Sequence, residues 1–399
     1  MGTGGSKPLK LSIDLSHTAH TGARTGIQRV CRSLHAELAF RKSALQTLTH
    51  DPFQRTWRPL EPWEEHTLSD AVSSTKRKSF WPQAARWRGR IRRLLGKPAP
   101  ALARDTGLIV PELFTPDVAR ALPALLARLQ GPRVAIFHGA IPLKLPALSP
   151  PATTARFPSY LQNLLQFDGI AADSEESRQS LLDYWRWAGW SDHPPVVAMP
   201  LGIDPPPPVV APAASPRPRI LSVGSLEGRK NHPALLAACE SLWSQGLRFE
   251  LHLIGLGQSK TGRASFDQLQ RLQASGRPLF YHGGVDDTFL NNAYATCTFT
   301  VYPSLMEGFG LPVLESLSRG KPCICLDRGA LGESTRDGGC LALHDVSAPT
   351  LANAIRELLT TPATLQRLQA EARARCFRTW KNYADDLLDW MTTLPRRSR

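Results

Sequence analysis

From residue 219 the chain reads RILSVGSL, HPALLAACESLWSQG, RFELHLIGLG, FDQLQRLQAS, LFYHGG, DDTFLNNAYATC, TFTVYPS, LPVLESLSRG and KPCICLD, apolar runs alternating with helix-like segments. Strands separated by helices do not pair as hairpins. Right-handed crossovers wind them into a parallel sheet with helices on both faces. The first half repeats the pattern: LKLSIDLS, LIVPEL, RVAIFHG and PVVAMPLG read as strands, and TGIQRVCRSLHAELAF, FPSYLQNLLQ and EESRQSLLDYWRWAG as helices. Between the two series, GIDPPPPVVAPAASPRP (202–218) is too rich in proline to pack as an element and reads as a stiff connector. The expectation is an α/β chain with an N-terminal doubly wound domain at 1–204, a linker at 205–218, a second such domain at 219–375 and a helical tail at 376–399. The cleft between the domains is the natural ligand site.

The 399 residues suit two domains of about 150–200 each, and 42% hydrophobic with 21% charged residues excludes a mainly disordered protein. No apolar stretch approaches the roughly 18–20 residues that span a bilayer. MGTGGSKPLKLSIDLS lacks the apolar h-region of a secretory signal, so a cytoplasmic protein is expected, with MGTGGS a flexible leader rather than a myristoylation site. Seven scattered cysteines form neither a disulfide framework nor a Cys-x-x-Cys zinc site and read as free thiols. Cys323 and Cys325 alternate in PCICLD, where a strand buries both on one face.

Basic residues exceed acidic ones by 48 to 34, a formal charge of +14, which attracts polyanions. From Lys76 to Lys97 the text KRKSFWPQAARWRGRIRRLLGK holds nine basic residues, no acid, and Phe80, Trp81 and Trp87. Arginine and tryptophan at near-helical spacing suit an anionic membrane surface; a solvated loop is the alternative. No recognised nucleic-acid module surrounds the segment, so no nucleic-acid partner is expected.

The chemistry concentrates in TVYPSLMEGFGLPVLESLSRG (300–320). A buried strand ends at Pro303 and Ser304, a loop carries Glu307, Gly308 and Gly310, and a helix opens with Pro312 where a missing N–H costs nothing. Glycines let backbone approach a ligand and the helix N-terminus attracts an anion. Glu307 and Glu315 are expected to face one ligand, accepting bonds from sugar hydroxyls and from a ribose diol. A dinucleotide oxidoreductase fits poorly, since no Gly-x-Gly-x-x-Gly follows either first strand.

YPSLMEGFGLPVLESLSRGKP resembles the E-x7-E signature of retaining glycosyltransferase family 4, which implies the GT-B fold, with residues 376–399 returning to the N-terminal domain. RILSVGSLEGRKNHPALLAA is similar to the family's entry into its second domain; the resemblance sets Arg229 and Lys230 against a donor diphosphate. It extends donor contacts to Gly224, Ser304, Glu307, Gly308, Phe309, Gly310, Leu311 and Glu315, and a catalytic role to Glu307, Arg229, Lys230 and His138. YHGGVDDTFLNNAYATC resembles the nucleobase side, and SEESRQSLL with MPLGID the end of the first domain. TGARTGIQRVCRSL resembles a subgroup rich in bacterial polysaccharide mannosyltransferases, implying that Gly26 approaches the phosphates and Arg29 lines the acceptor side. Residues 50–105 have no counterpart.

The family's His-Asp pair departs here to His138-Gly139. No Asp-x-Asp occurs, so a metal-diphosphate clamp is not evident; cations and helix dipoles serve instead, with no metal or cofactor expected. The resemblance thus implies a retaining transferase moving a sugar, with GDP-mannose ranked first as donor, to a polysaccharide or lipid-linked glycan at the cytosolic face of a membrane. Same-face attack, in which the departing phosphate oxygen accepts the acceptor's proton, is favoured over a covalent glutamyl intermediate. The alternatives are a transferase of the same fold with another sugar and a soluble acceptor, or a degenerate protein that binds sugar or anionic lipid.

Overall fold

The computed structural model describes residues 10–23, 25–41, 45–69, 79–96, 105–206, 217–257 and 261–395. Most of the Pro-rich connector, the MGTGGS leader, Lys76 to Lys78 and Lys97 lie outside them. Strands β1 (Leu11–Asp14), β2 (Leu45–Asp51), β3 (Thr56–Pro59), β4 (Gly107–Val110), β5 (Arg133–Phe137), β6 (Gly169–Ala172) and β7 (Val196–Ala198) form one sheet, ordered β3-β2-β1-β4-β5-β6-β7. Neighbours are parallel except the β2–β3 edge pair. Strands β8 (Arg219–Val223), β9 (Glu250–Ile254), β10 (Leu279–Tyr281), β11 (Phe299–Tyr302), β12 (Cys323–Leu326) and β13 (Cys340–Leu343) form a second, wholly parallel sheet, ordered β10-β9-β8-β11-β12-β13. In each, the order reverses beside the first strand of the series, so a crevice opens at the carboxyl ends. The two Rossmann-like sheets face one another across a cleft, which is the GT-B architecture.

Burial follows the residue pattern. β4, β5, β6 and β12 are buried along their whole length, as parallel strands covered on both faces must be. Cys323 and Cys325 are among them. Thr379 opens the last helix (Trp380–Thr393) with a reciprocal capping box to Asn382. Its Trp380, Tyr383, Leu387 and Met391 bury against Leu11, Ile13, Val30 and Leu34, and Arg41 of the N-terminal half meets Asp385 at 2.5 Å. The tail therefore returns to the first sheet.

Within the stretch without a counterpart, β3 is followed by helices Pro62–Ser69 and Gln83–Leu94. A buried ionic network ties it down, with Arg58 donating to Asp51 (3.0 Å) and Glu64 (2.7 Å), and His20 Nε2 2.7 Å from Glu64. Gly89 packs where any Cβ would lie 2.8 Å from that of Phe53, so the helix rests closely on the β2 end. Among the described residues no helix is long and apolar enough to cross a membrane.

Candidate functional site

A cavity of about 390 Å³ lies between the carboxyl ends of the two sheets. From the N-terminal half it is lined by Gly26, Arg29, His138 and Asp173, and from the C-terminal half by Gly224, Arg229, Lys230, Glu307, Gly308, Phe309, Gly310 and Leu311. Eleven of the thirteen candidate residues thus meet at one place. Ser304 and Glu315 do not line it.

Glu307 is the hub. Its Oε1 lies 2.6 Å from both Arg229 Nη1 and Lys230 Nζ, and Ser304, fully buried behind it, donates to the same oxygen. Lys230 also donates to the Tyr302 hydroxyl, and Arg229 meets Glu227 at 2.8 Å. Burial alone would raise the Glu307 pKa, but the two cations and the Ser304 bond hold it at about 2. Burial takes Lys230 down to about 8, with Glu307 opposing and Arg229 assisting the fall. Two cations and two carboxylates compensate one another here. An entering polyphosphate competes with Glu307 for the same donors.

Glu315, one turn into the Leu311–Ser318 helix, is 4% exposed. Arg29 reaches it from the N-terminal half at 2.5 Å, and Tyr294 donates to its other oxygen at 3.2 Å. Arg29 lines the cavity, and its charge is engaged by Glu315. Glu315 in turn pushes the Arg29 pKa further up.

The loop before that helix is where glycine is required. Gly310 caps the helix at φ 95°, and a Cβ there would lie 2.7 Å from Leu331. At Gly308 a Cβ would meet the His138 carbonyl oxygen at 2.2 Å, so the two halves touch backbone to backbone. The Gly308 carbonyl accepts from Ser174 Oγ (2.6 Å) and Ser177 Oγ (3.1 Å). The N–H groups of Glu175 and Glu176, opening the Glu175–Trp187 helix, donate to Glu333 at 3.0 and 2.8 Å.

His138 is held by the Pro111 carbonyl, which accepts from Nε2 at 2.8 Å, and by Asp173 Oδ2, 3.4 Å from Nδ1. Asp173 Oδ1 is buried without a hydrogen-bond partner while its residue lines the cavity. Asp173 thus brings a carboxylate to His138 where position 139 has none. Sequence reasoning missed Asp173, whose DSEES context signals a helix cap instead. It also missed Glu227, which pairs locally with Arg229, and Tyr302, which meets Lys230 only through the fold. Among the described residues no group of three or more His, Cys, Asp or Glu is arranged to hold a metal ion.

The family described as "Glycosyl transferases group 1" matches residues 210–375. Along 95% of its length the chain is 26% identical to a serotype-specific mannosyltransferase, WbdA, of Escherichia coli, covering 46% of that protein. The chain thus spans about half the length of this curated relative. Among solved structures, a sucrose-phosphate synthase from Thermosynechococcus elongatus superposes with a TM-score of 0.69 at 18% identity, covering 97% of this chain and 99% of that one. Anabaena HepE in complex with UDP and glucose gives 0.64 at 14% identity, covering 97% and 100%. These two likenesses establish the fold.

Proposed function

We propose that this GT-B-fold relative of the group 1 glycosyl transferases is a retaining, metal-independent glycosyltransferase that moves a sugar from a nucleotide-sugar donor to a polysaccharide or lipid-linked glycan. One observation carries the reading: Arg229 and Lys230 converge at 2.6 Å on a single oxygen of Glu307, beside a glycine loop and a helix N-terminus. On this reading the donor diphosphate takes the two cations and frees Glu307 for the sugar hydroxyls. The bond from the anomeric carbon to phosphate oxygen breaks, the acceptor oxygen bonds to that carbon from the same face, and the acceptor's proton passes to the departing phosphate. Arg229, Lys230 and the helix dipole stabilise the negative charge that develops. Glu315 takes the ribose once Arg29 releases it. His138, oriented by Asp173, lies on the acceptor side of the reacting carbon.

Mannose ranks first because the relative matched along most of the chain is a mannosyltransferase. The Gln83–Leu94 helix supports an anionic membrane surface as partner: Trp87 (62%) and Leu94 (86%) are exposed, and Arg86, Arg90 and Arg93 have no carboxylate partner among the described residues. The domain limits follow as 1–204 and 219–375, with 376–399 returning.

Thermal-shift titration with GDP-mannose, UDP-glucose and UDP-N-acetylglucosamine, each in the presence of a chelator, tests the reading. The donor raises Tm in proportion to the logarithm of its concentration, GDP-mannose most. No shift with any nucleotide sugar, or shifts that require added magnesium or manganese, would overturn it.

A further inference from the structure

A second pocket, of about 210 Å³, opens in the N-terminal half over the carboxyl ends of β1, β2 and β4. Asp14, His17, His50, Ser79, Trp81 and Asp117 line it. It is a built site. Glu112 accepts from the backbone N–H groups of His17 and Thr18, both at 2.8 Å, and so fixes the turn that forms one wall. Trp81 forms another, its ring stacked on His20 at 4.1 Å. His50 is 6% exposed, and its Nε2 is buried without a hydrogen-bond partner. A buried, unpaired ring nitrogen costs free energy that a ligand hydroxyl relieves.

The lining selects the ligand class. Asp14, Glu112 and Asp117 contribute carboxyl groups, a lining that favours hydroxyls over anions. Asp14 is buried, and burial, helped by Glu112 and opposed by its bonds from Ser16, raises its pKa to about 7. Near neutrality it is therefore both a donor and an acceptor. Groups of either polarity beside a rigid apolar wall match the hydroxyls and ring face of a neutral sugar. The site also lies in line with the reacting centre: His138 in the cleft is bonded to the Pro111 carbonyl, and the next residue, Glu112, lines this pocket.

We infer that this pocket is a subsite for a neutral hexose unit of the acceptor glycan, remote from the reacting hydroxyl and walled in part by His50, Pro52, Ser79 and Trp81. The inference rests on the transferase reading for its role, and its test separates the two. Calorimetry with α-linked mannose oligosaccharides of one to four units measures affinity against length, and GDP-mannose is titrated on the same wild-type protein. Longer oligosaccharides bind about tenfold more tightly than the monosaccharide, an advantage that Ser79→Trp abolishes by filling the pocket from an exposed position. His50→Ala reduces it about fivefold. Absence of any length advantage, or an advantage unchanged in Ser79→Trp, would overturn the subsite while nucleotide binding stands. Length-dependent binding lost in Ser79→Trp supports the subsite even if GDP-mannose does not bind, an outcome that counts against the donor reading alone.

Discussion

Lys230 is placed under opposing demands, burial favouring its neutral form and Glu307 its charged one, and its pKa settles at about 8. If its ammonium is what meets the diphosphate, the free enzyme becomes deficient as that proton leaves. The kcat/KM profile is then predicted to fall above about pH 8, and Lys230→Arg to carry the alkaline limb to higher pH, because a guanidinium keeps its charge. A profile that stays flat to about pH 10 would contradict this role. Gly139 makes a different point. Its φ is 96°, and a Cβ there would lie 3.1 Å from Gly308 Cα and from Ser177 Oγ. Gly139→Asp, which restores the family's residue, is predicted to cost about 1–3 kcal/mol rather than to help, read as a lowered Tm. An unchanged Tm would mean that the two halves do not meet at this point in solution.

Helix Gln83–Leu94 shows how an element divides its charges. Ala85 and Gly89 face the protein, and Arg88 and Arg92 lie on Glu61 at 2.5 and 2.9 Å. Those two arginines anchor the helix, whereas Arg86, Arg90 and Arg93 have no carboxylate partner among the described residues and, on the proposed function, face the anionic surface. Each is worth about 1 kcal/mol near an anionic surface, so reversing all three to glutamate is predicted to weaken sedimentation with anionic vesicles by about 100-fold or more. Equal vesicle binding by wild type and variant would make the helix a solvated one. The alternation of strands and helices was legible because parallel strands must be apolar throughout and crossovers must be amphipathic. The Glu307 loop was legible because glycine, proline and acid coincide in one short run. The Arg58–Glu64–His20 network was not, since nothing local in TWRPLEPWEEH says that its charges are buried. Nor was the pairing of Arg29 with Glu315, which depends on how two distant segments come together.

Polar bridges join the two halves among the described residues: Arg29 to Glu315, Ser174 and Ser177 to the Gly308 carbonyl, and Glu333 to the Glu175–Trp187 helix N-terminus. Arg29 and Gly308 line the cavity, so on the proposed function nucleotide entry and domain closure are coupled through them. Losing Ser174 and Glu333 together, at about 1 kcal/mol for each hydrogen-bonding group, is predicted to shift the closure equilibrium by about 10–30-fold. X-ray scattering would read this as a larger radius of gyration for the Ser174→Ala, Glu333→Ala variant without nucleotide. An unchanged radius would place the cohesion elsewhere, for example in the returning Trp380–Thr393 helix. If the cleft transfers a sugar with retention, the anomeric configuration of the product, read by NMR, reports it. With GDP-α-mannose and a mannose oligosaccharide acceptor, in the presence of a chelator, a new α-linked mannose is predicted. A β-linked product, or no product from any nucleotide sugar under conditions where the protein is folded, would contradict it.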